Sequence, residues 1–521
     1  RRRRTRPSAR LHMSHEPTNT ILLLQIARLI LTTTPGYVHP DEHFQSIEPA
    51  GHLVGLFAYL PWEFTIASPI RSWPPAVLAA LPMRLLKIPN TILLLVAARL
   101  PYCAVSFVQD AALARICRRH ALPTHWILLL HASAWPTLVF GARTFSNTLE
   151  ASLFAVSLAV VLEPPSTSRR RCVLLGALLA IGTWVRFTFV LFWLPLGLHF
   201  ASTASSSPHG ISALIVTAAT LSVLLLAFDC AFYGGACIAS PWLCIAPLNA
   251  GVYNASPTNL ANHGINHRLT HLLINLPLLL GPLAFYAYSD LLLHLRQSFF
   301  RDSKTTTTRR FLLPIRTSQL LLSTTLVPLL SLSIMPHQEP RFLLPLITPL
   351  LLLYGTSITQ TRRRMAGWFV YHLALTAFFS LVHQSGVVRA LAHLQQAHAA
   401  PSSSSLATAV FFHTYMPSRV LLAMPRNATA PPPVNIIDLG HTASVAELSR
   451  EIIAQHRRSK ALYVVLPASF APALRATQQQ RHLFRRSRAV TRVGRFWPHW
   501  TGEDPPWTIE DAALEMYRVG R

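Results

Sequence analysis

Residues Thr91–Val108 read TILLLVAARLPYCAVSFV, an almost wholly apolar run. A helix of about 20 predominantly apolar residues crosses the hydrocarbon core of a bilayer. Further apolar blocks lie at Ile21–Leu31, Trp126–Phe140, Cys172–Phe200, Ile211–Phe228, His271–Leu293, Leu320–Met335, Phe342–Thr356 and Gly367–Val382. Because a helix satisfies its own backbone hydrogen bonds in lipid, these blocks predict an all-α multi-pass membrane protein.

The composition agrees with a membrane protein. Of the 521 residues, 51% are hydrophobic and only 13% are charged, whereas a soluble domain carries about a quarter charged residues. The formal net charge of +26 would also suit a nucleic-acid-binding protein. The Arg clusters, however, flank the apolar blocks, at Arg1–Arg4, Arg118–Arg119, Arg169–Arg171, Arg309–Arg310 and Arg362–Arg364. We therefore expect membrane lipids as partners and no nucleic acid.

The Arg clusters also predict the topology, because positive residues favour the cytosolic side of a membrane. Residues 1–18 form a basic cytosolic N-terminus, and residues 19–385 form the transmembrane domain. All five clusters are cytosolic if Cys172–Phe200 is a broken hairpin that turns near Gly182–Arg186. This arrangement gives about 11 transmembrane helices. The first apolar block has no small-residue cleavage site, which favours a retained signal-anchor, and a start at Met13 or Arg1 stays open.

Residues 386–521 are more polar and are predicted to form a small luminal C-terminal domain. Within it, Ser444–His456 suits a helix, and Ala461–Pro467 suits a short buried strand. The glycosylation sequon at Asn427 is usable only on the luminal side. Before this domain, three cysteines cluster near one luminal loop, namely Cys230, Cys237 and Cys244. A single disulfide would leave one of them over, so the pairing stays open.

The first motif, His39–Gln45, reads HPDEHFQ and follows the first helix at the luminal membrane boundary. Pro40 suits the first turn of a short helix, and consecutive helical residues point about 100° apart. Only one of Asp41 and Glu42 can therefore face a given substrate. Three interpretations compete: a general base beside the membrane, structural capping, and a metal site of His39 with the carboxylates. Charged residues at this depth favour a functional role.

The second motif, His337–Phe342, reads HQEPRF and is predicted to form a tight luminal turn between two helices. Arg341 and His337 would bind a lipid phosphate at headgroup level, since a guanidinium presents a planar fork to phosphate oxygens. Glu339 would orient Arg341 or neutralise it in the resting state. The alternative is a structural ion pair that holds the turn together.

Six further polar residues in or beside apolar segments are site candidates: Arg143, Asn147, Glu150, Arg186, His271 and Asn275. Ser146 or Asn147 would cap a helix over Thr148–Leu162. Arg143, Glu150 and Arg186 are charges close to or within apolar runs, where a functional role competes with snorkelling to the interface. His271 and Asn275 are one turn apart and share a helix face, which suggests a lipid or sugar contact.

Taken in order, these motifs resemble the dolichyl-phosphate-mannose-dependent α-1,2-mannosyltransferases of the GT-C superfamily (glycosyltransferase family 22). Gln338 and Pro340 in the second motif, and His39–Ser46 around the first, are similar to the branch that adds the fourth mannose to GPI precursors. Other segments point to the same branch, namely Pro247–Tyr253, Asn259–His263, Thr270–Pro282 and Thr414–Pro417. The resemblance runs from about Ile21 to Pro417.

The resemblance implies transfer of mannose from dolichyl-phosphate-mannose to the third mannose of a GPI-anchor precursor, at the luminal face of the endoplasmic reticulum membrane. In the family, a β-linked donor gives an α-linked product, which one in-line displacement explains. Asp41 would take the acceptor proton, and His337 and Arg341 would stabilise the departing lipid phosphate. The resemblance implies neither a metal nor another cofactor. It favours Asp41 over Glu42 as the base, although the residues alone leave that choice open.

Two other functions remain as alternatives. One is a sister mannosyltransferase that adds the third GPI mannose or assembles N-glycan precursors. The other is a multi-pass transporter in which Asp41, Glu42 and Arg186 form a proton or ion relay. A transporter is expected to have repeated halves and charges near mid-membrane. The sequence has no evident repeat and most of these charges are in loops, which favours the enzyme.

Overall fold

The computed structural model describes residues 17–520, except for 87–89, 165–167, 204–207, 262–263, 301–311, 399–406, 427–432, 475–489 and 503–507. Several features of the sequence lie outside the described residues: the basic cluster Arg1–Arg4 with nearly all of the predicted cytosolic segment, Arg309–Arg310, His263 and the sequon at Asn427.

Most of the described chain is helical. The α-helices are α1 (Thr18–Ile30), α2 (Glu48–Leu53), α3 (Trp62–Thr65), α4 (Pro74–Leu86), α5 (Thr91–Arg119), α6 (Thr124–Ser133), α7 (Trp135–Val139), α8 (Ser146–Val161), α9 (Arg169–Val185), α10 (Phe189–Thr203), α11 (Pro208–Tyr233), α12 (Gly235–Ala239), α13 (Ala246–Ala255), α14 (Pro257–Ala261), α15 (Leu276–Leu280), α16 (Pro282–Phe300), α17 (Ile315–Ile334), α18 (Ile347–Ile358), α19 (Arg362–Ala377), α20 (Ser385–His398) and α21 (Val445–His456). Tighter or wider helical turns occupy Leu31–Thr33, His43–Ile47, Pro241–Cys244, His271–Asn275, Pro340–Leu346, Phe378–Val382, Val420–Leu422 and Ala468–Phe470.

Among the described residues, five helical segments are long and apolar enough to cross a membrane: Thr91–Arg119, His209–Tyr233, Ile315–Ile334, Pro340–Ile358 and Arg362–Val382. Shorter apolar helices accompany them at Thr18–Thr33, Pro74–Leu86, Ser146–Val161, Phe189–Ser202 and His271–Leu280. The prediction of a multi-pass helical membrane protein is therefore confirmed, while the number of 11 crossings stays a prediction.

Several predicted helices are interrupted. Cys172–Phe200 breaks at Arg186, whose backbone is extended between α9 and α10, so the predicted break is confirmed. Two further apolar blocks, Trp126–Phe140 and His271–Leu293, are also interrupted. The first breaks at Ala134, just before Pro136. The second breaks at Gly281, whose φ of 48° suits glycine and which is followed by a proline.

The C-terminal region contains a five-stranded sheet, of which the sequence predicted one strand. Its strands are β1 (Ala407–Phe411), β2 (Val434–Asp438), β3 (Ala461–Pro467), β4 (Thr491–Phe496) and β5 (Leu514–Val519), in the order β2-β1-β3-β5-β4. β1 is parallel to β2 and β3, whereas β5 is antiparallel to β3 and β4. The predicted strand is confirmed as β3, and the predicted helix as α21, which Ser444 caps.

Two main hydrophobic cores join these parts. The first lies among the apolar helices and includes Trp135 and Trp368. The second unites residues of α4 and α5 with the sheet, through side chains such as Leu95, Phe411 and Leu514. The sheet therefore packs against α4 and α5, and Tyr37 and Ile47, which flank the first motif, belong to the same core. This contact helps to position the loop after α1.

Gly36 is a point of close packing in that loop. Its N–H donates to Ser380 O at 2.9 Å, and its carbonyl accepts from Arg143 at 3.1 Å. A Cβ at Gly36 would overlap the main-chain atoms of Phe379 and Ser380. Backbone atoms cannot move aside as a side chain can, so substitution must displace the loop.

We expect Gly36→Ala to destabilise the protein by about 1–3 kcal/mol, as overpacking of a close contact does. The measurement is the thermal unfolding midpoint in detergent. Gly367→Ala is the matched control, because a Cβ at Gly367 meets no atom within 4 Å and alanine favours the helix. Equal midpoints for the two variants would contradict this interpretation of the loop.

Candidate active site

Both motifs line one cavity of about 410 Å³. The first motif contributes His39, Pro40 and Asp41, and the second contributes His337, Glu339, Arg341 and Phe342. The break between α9 and α10 adds Arg186 and Thr188, and the loop before α4 adds Glu63 and Arg71. Two segments about 300 residues apart in sequence are thus brought together by the helix ends.

The backbone explains how Asp41 reaches the cavity. A helical segment begins at Asp41, where the N–H groups of His43 and Phe44 both donate to Pro40 O. The predicted position of Pro40 at the start of a helical turn is confirmed. On the other side, Glu339 is extended and Pro340–Leu346 winds as a 3₁₀ helix, which directs Arg341 towards Asp41.

Arg341 is shared between two carboxylates. Its Nη2 lies 2.7 Å from Asp41 Oδ2, and its Nε donates to Glu339 Oε2 at 2.5 Å. His337 Nε2 is 2.8 Å from Glu339 Oε1, and His39 Nδ1 is 3.4 Å from Asp41 Oδ1. Arg341 Nη1 is buried and has no hydrogen-bond partner among the described residues. The Nη1 group of Arg341 could therefore donate a hydrogen bond to a ligand.

The charges in this cluster set the protonation states of its loop residues. Burial alone would raise the pKa of Asp41, but Arg341 and His39 outweigh it and hold that pKa well below its ordinary value. Burial likewise opposes Arg341 and His39 at Glu339, and the pKa of Glu339 is lowered. Burial would lower the pKa of His337, but the hydrogen bond with Glu339 raises it. Both carboxylates are therefore ionised beside a guanidinium and an imidazole that favours its charged form.

Glu42 points away from the cavity and is completely buried. It accepts a hydrogen bond from Arg99 Nε at 2.7 Å, and Arg143 Nε lies 3.5 Å from its other oxygen. Arg99 also donates to the carbonyls of Thr32 and Thr34. The prediction that only one of the adjacent carboxylates faces the site is confirmed: Asp41 lines the cavity, and Glu42 ties its loop to α5.

The remaining candidates divide into two groups. Arg186 lines the cavity and pairs with Glu150 at 3.1 Å, while Thr188 donates to Glu150 at 2.6 Å. His271 and Asn275 are within hydrogen-bond distance at 3.0 Å, which confirms their shared face. The backbone N–H of His271 donates to Gln338 Oε1 at 2.7 Å, so this pair is hydrogen-bonded to the second motif through Gln338.

The predicted cap of α8 was wrong. The helix begins at Ser146 without a side-chain cap, and the Ser146 hydroxyl accepts a hydrogen bond from Arg186 at 3.0 Å. Asn147 is buried, and neither polar atom of its side chain has a hydrogen-bond partner among the described residues. Because the N-cap position falls on Phe145, neither Ser146 nor Asn147 is placed to cap the helix.

Sequence reasoning missed four polar residues around the site: Gln45, Glu63, Arg71 and Arg99. Arg71 Nη2 is 2.7 Å from Glu63 Oε1, and Gln45 hydrogen-bonds both Asp41 and Glu63. The sequence could have identified Arg99, because it is the only charged residue in the run Thr91–Val108. A charged residue inside a membrane helix is usually paired with another polar group.

Two chemical questions left by the sequence concern metals and cysteines. In the part of the chain that the structure describes, no group of three or more His, Cys, Asp or Glu side chains could hold a metal ion. Cys237 and Cys244 form a disulfide, and Cys230 is a buried free thiol.

The fold is similar to that of a solved membrane enzyme, ArnT from Cupriavidus metallidurans, crystallised with undecaprenyl phosphate. The TM-score is 0.52 at 11% sequence identity, over 96% of this chain and 97% of that chain. This likeness concerns the fold alone.

Residues 19–418 match the Alg9-like mannosyltransferase family, and the chain belongs to this family. It is 32% identical to GPI alpha-1,2-mannosyltransferase 4 of Homo sapiens, over 93% of this chain and 88% of the human protein. It is also 32% identical to GPI mannosyltransferase 4 of Yarrowia lipolytica, over 81% of this chain and 79% of that protein. The predicted enzyme class, a membrane mannosyltransferase, is confirmed.

Neutralising Glu42 is expected to affect the protein differently from neutralising the adjacent Asp41. Glu42→Gln leaves Arg99 and Arg143 buried without a counter-charge, and breaking a buried pair costs about 3–5 kcal/mol. We expect a clear loss of protein level in microsomes and of the thermal midpoint in detergent. Glu163→Gln is the control, because its pair with Arg115 is exposed and contributes little. A Glu42→Gln protein as stable as the control would contradict the structural role.

Proposed function

We propose that this chain transfers an α-1,2-linked mannose from dolichyl-phosphate-mannose to the third mannose of a GPI-anchor precursor. The similarity to GPI mannosyltransferase 4 of other organisms supports the reaction. The observation that carries the mechanism is the convergence of Asp41, Arg341 and His337 on one cavity at the helix ends. In this proposal the cavity and residues 386–521 lie on the luminal side of the endoplasmic reticulum membrane, and residues 19–385 form the transmembrane domain.

The proposed reaction is a single in-line displacement. The acceptor 2-hydroxyl oxygen bonds to the anomeric carbon of the donor mannose, and the bond from that carbon to the phosphate oxygen breaks. Asp41 takes the hydroxyl proton as general base, and dolichyl phosphate leaves with the electron pair. Arg341 and His337 stabilise the negative charge of the leaving phosphate. One inversion converts the β-linked donor into an α-linked product without a cofactor.

The shared Arg341 gives the steps an order. While Arg341 pairs with Asp41 at 2.7 Å, the carboxylate is a weak base, because the adjacent guanidinium holds its pKa well below the ordinary value. A donor phosphate offers Arg341 another anionic partner, and the guanidinium has a donor nitrogen, Nη1, without a hydrogen-bond partner among the described residues. As the guanidinium turns to the phosphate, the pKa of Asp41 rises and the carboxylate becomes a better base. Donor binding thus prepares the site for proton transfer.

The function is tested by mass analysis of GPI precursors in cells that lack this protein. We expect an intermediate with three mannoses to accumulate, and re-expression of the wild-type chain to remove it. A two-mannose intermediate would transfer the assignment to addition of the third mannose. Unchanged GPI precursors with truncated N-glycan precursors would transfer it to N-glycan assembly.

We expect Asp41→Asn to abolish mannose transfer in microsomes supplied with dolichyl-phosphate-mannose, while the protein accumulates normally. The protein still folds because Arg341 keeps its pair with Glu339, and asparagine cannot accept the acceptor proton. Asp511→Asn, which changes a carboxylate outside the cavity, is the control. Residual activity in Asp41→Asn near the wild-type level would exclude Asp41 as the base.

A further inference from the structure

A second polar cluster lies in the same cavity, beyond Asp41. Arg71 contacts Glu63 Oε1 with Nε at 2.9 Å and Nη2 at 2.7 Å. Gln45 Nε2 is 3.4 Å from the same oxygen and also donates to Asp41. A continuous chain of polar contacts therefore runs from Glu339 through Arg341, Asp41 and Gln45 to Glu63 and Arg71. The Glu63–Arg71 pair lies at the end of this chain remote from Glu339.

Aromatic rings stand beside this pair. Trp62 and Tyr253 both line the cavity, with ring centroids 5.0 Å apart, and Trp62 is 36% exposed. Tyr59 also lines the cavity and packs edge-on against Phe44 at 6.1 Å. Large aromatic rings next to a few polar groups are typical of small-ligand sites.

Hydrogen bonds to neighbouring helices hold this wall of the cavity in position. Asn249 Nδ2 donates to Pro69 O at 3.0 Å, and the N–H of Trp73 donates to the buried Asp229 at 2.9 Å. The Tyr233 hydroxyl donates to Arg71 O. The loop that carries Glu63 and Arg71 is thus tied to α11 and α13, and a ligand there would meet side chains that are already in position.

The combination of groups suits a sugar ring better than an apolar or a purely ionic ligand. The C–H face of a hexose stacks on an aromatic ring, while its hydroxyls both donate and accept hydrogen bonds. Glu63 accepts such bonds, and Arg71 donates them. Because Arg71 is already neutralised by Glu63, the pair offers hydrogen bonds without a net charge.

We propose that Trp62, Tyr253, Glu63 and Arg71 form the binding site for the acceptor glycan, on the opposite side of Asp41 from the donor phosphate. The inference rests on the proposed function, in which Arg341 and His337 hold that phosphate. An in-line displacement requires the attacking hydroxyl and the leaving phosphate on opposite sides of the anomeric carbon. The acceptor sugar therefore occupies the wall beyond Asp41, where Gln45 links the base to Glu63.

The test separates acceptor binding from donor binding in microsomes. Trp62→Ala removes the stacking ring, and Glu63→Gln removes the ionic partner of Arg71. We expect the apparent KM for a three-mannose GPI acceptor to rise roughly tenfold in each variant, which equals about 1.4 kcal/mol of binding free energy. The KM for dolichyl-phosphate-mannose is expected to change by less than about twofold, and Trp62→Phe, which keeps a ring, is expected to restore most of the acceptor affinity.

Two matched controls accompany these variants. Trp242→Ala removes an exposed tryptophan that does not line the cavity, and Glu163→Gln breaks an exposed ion pair elsewhere. Both controls are expected to keep the wild-type KM for acceptor and donor. If Glu63→Gln lowers the thermal midpoint, Trp62→Ala alone decides the question, since its ring is partly exposed.

The outcomes distinguish the two proposals. A wild-type protein that fails to add mannose to the three-mannose acceptor overturns the proposed function and the acceptor site with it. Wild-type activity together with an unchanged acceptor KM in Trp62→Ala overturns the acceptor site alone. A rise in the donor KM equal to that for the acceptor also overturns it, because the ring would then contact the donor.

Discussion

Glu42 and Arg99 form an ion pair in which both side chains are fully buried, at 2.6 Å, and Arg143 lies beside them. Removing these charges from water costs free energy, so a buried charge that loses its partner strongly destabilises the fold. Because it joins the loop after α1 to α5 and to the loop before α8, it determines which way the first motif turns. With Glu42 anchored inward, the helical geometry sends Asp41 about 100° away, into the cavity.

The C-terminal region holds the same loop from the other side. The Tyr37 hydroxyl donates to Met416 O at 2.9 Å, and Glu48 accepts from Ser418 Oγ at 2.6 Å and from the N–H of Val420 at 3.1 Å. Burial raises the pKa of Glu48, while the hydrogen bond from Ser418 opposes that rise. The residues after the apolar helices are therefore part of the support of the site. Mutations in this region would then alter the position of Asp41 without touching the substrate.

The fold was predictable to the extent that single segments carry its signals. Apolar blocks indicated the membrane helices, and the positions of the Arg clusters indicated the break between α9 and α10. The sheet was mostly missed: β1 is buried on both faces and shows no alternation, and β4 and β5 mix Arg and Glu with apolar residues. The breaks at Ala134 and Gly281 were missed because proline and glycine occur inside many of the apolar runs, and only packing decides which of them interrupts a helix.

The sequence by itself determined the membrane class, the two motifs and the fact that only one of Asp41 and Glu42 can face a given substrate, because these follow from composition, local order and the geometry of one helical turn. Only the tertiary structure decided which carboxylate faces inward, that Arg341 is shared by Asp41 and Glu339, and that Glu63 and Arg71 complete the cavity. These contacts join residues far apart in the chain. No local pattern specifies such a contact, since it depends on how the helices pack and on which charges must be neutralised together when they are removed from water.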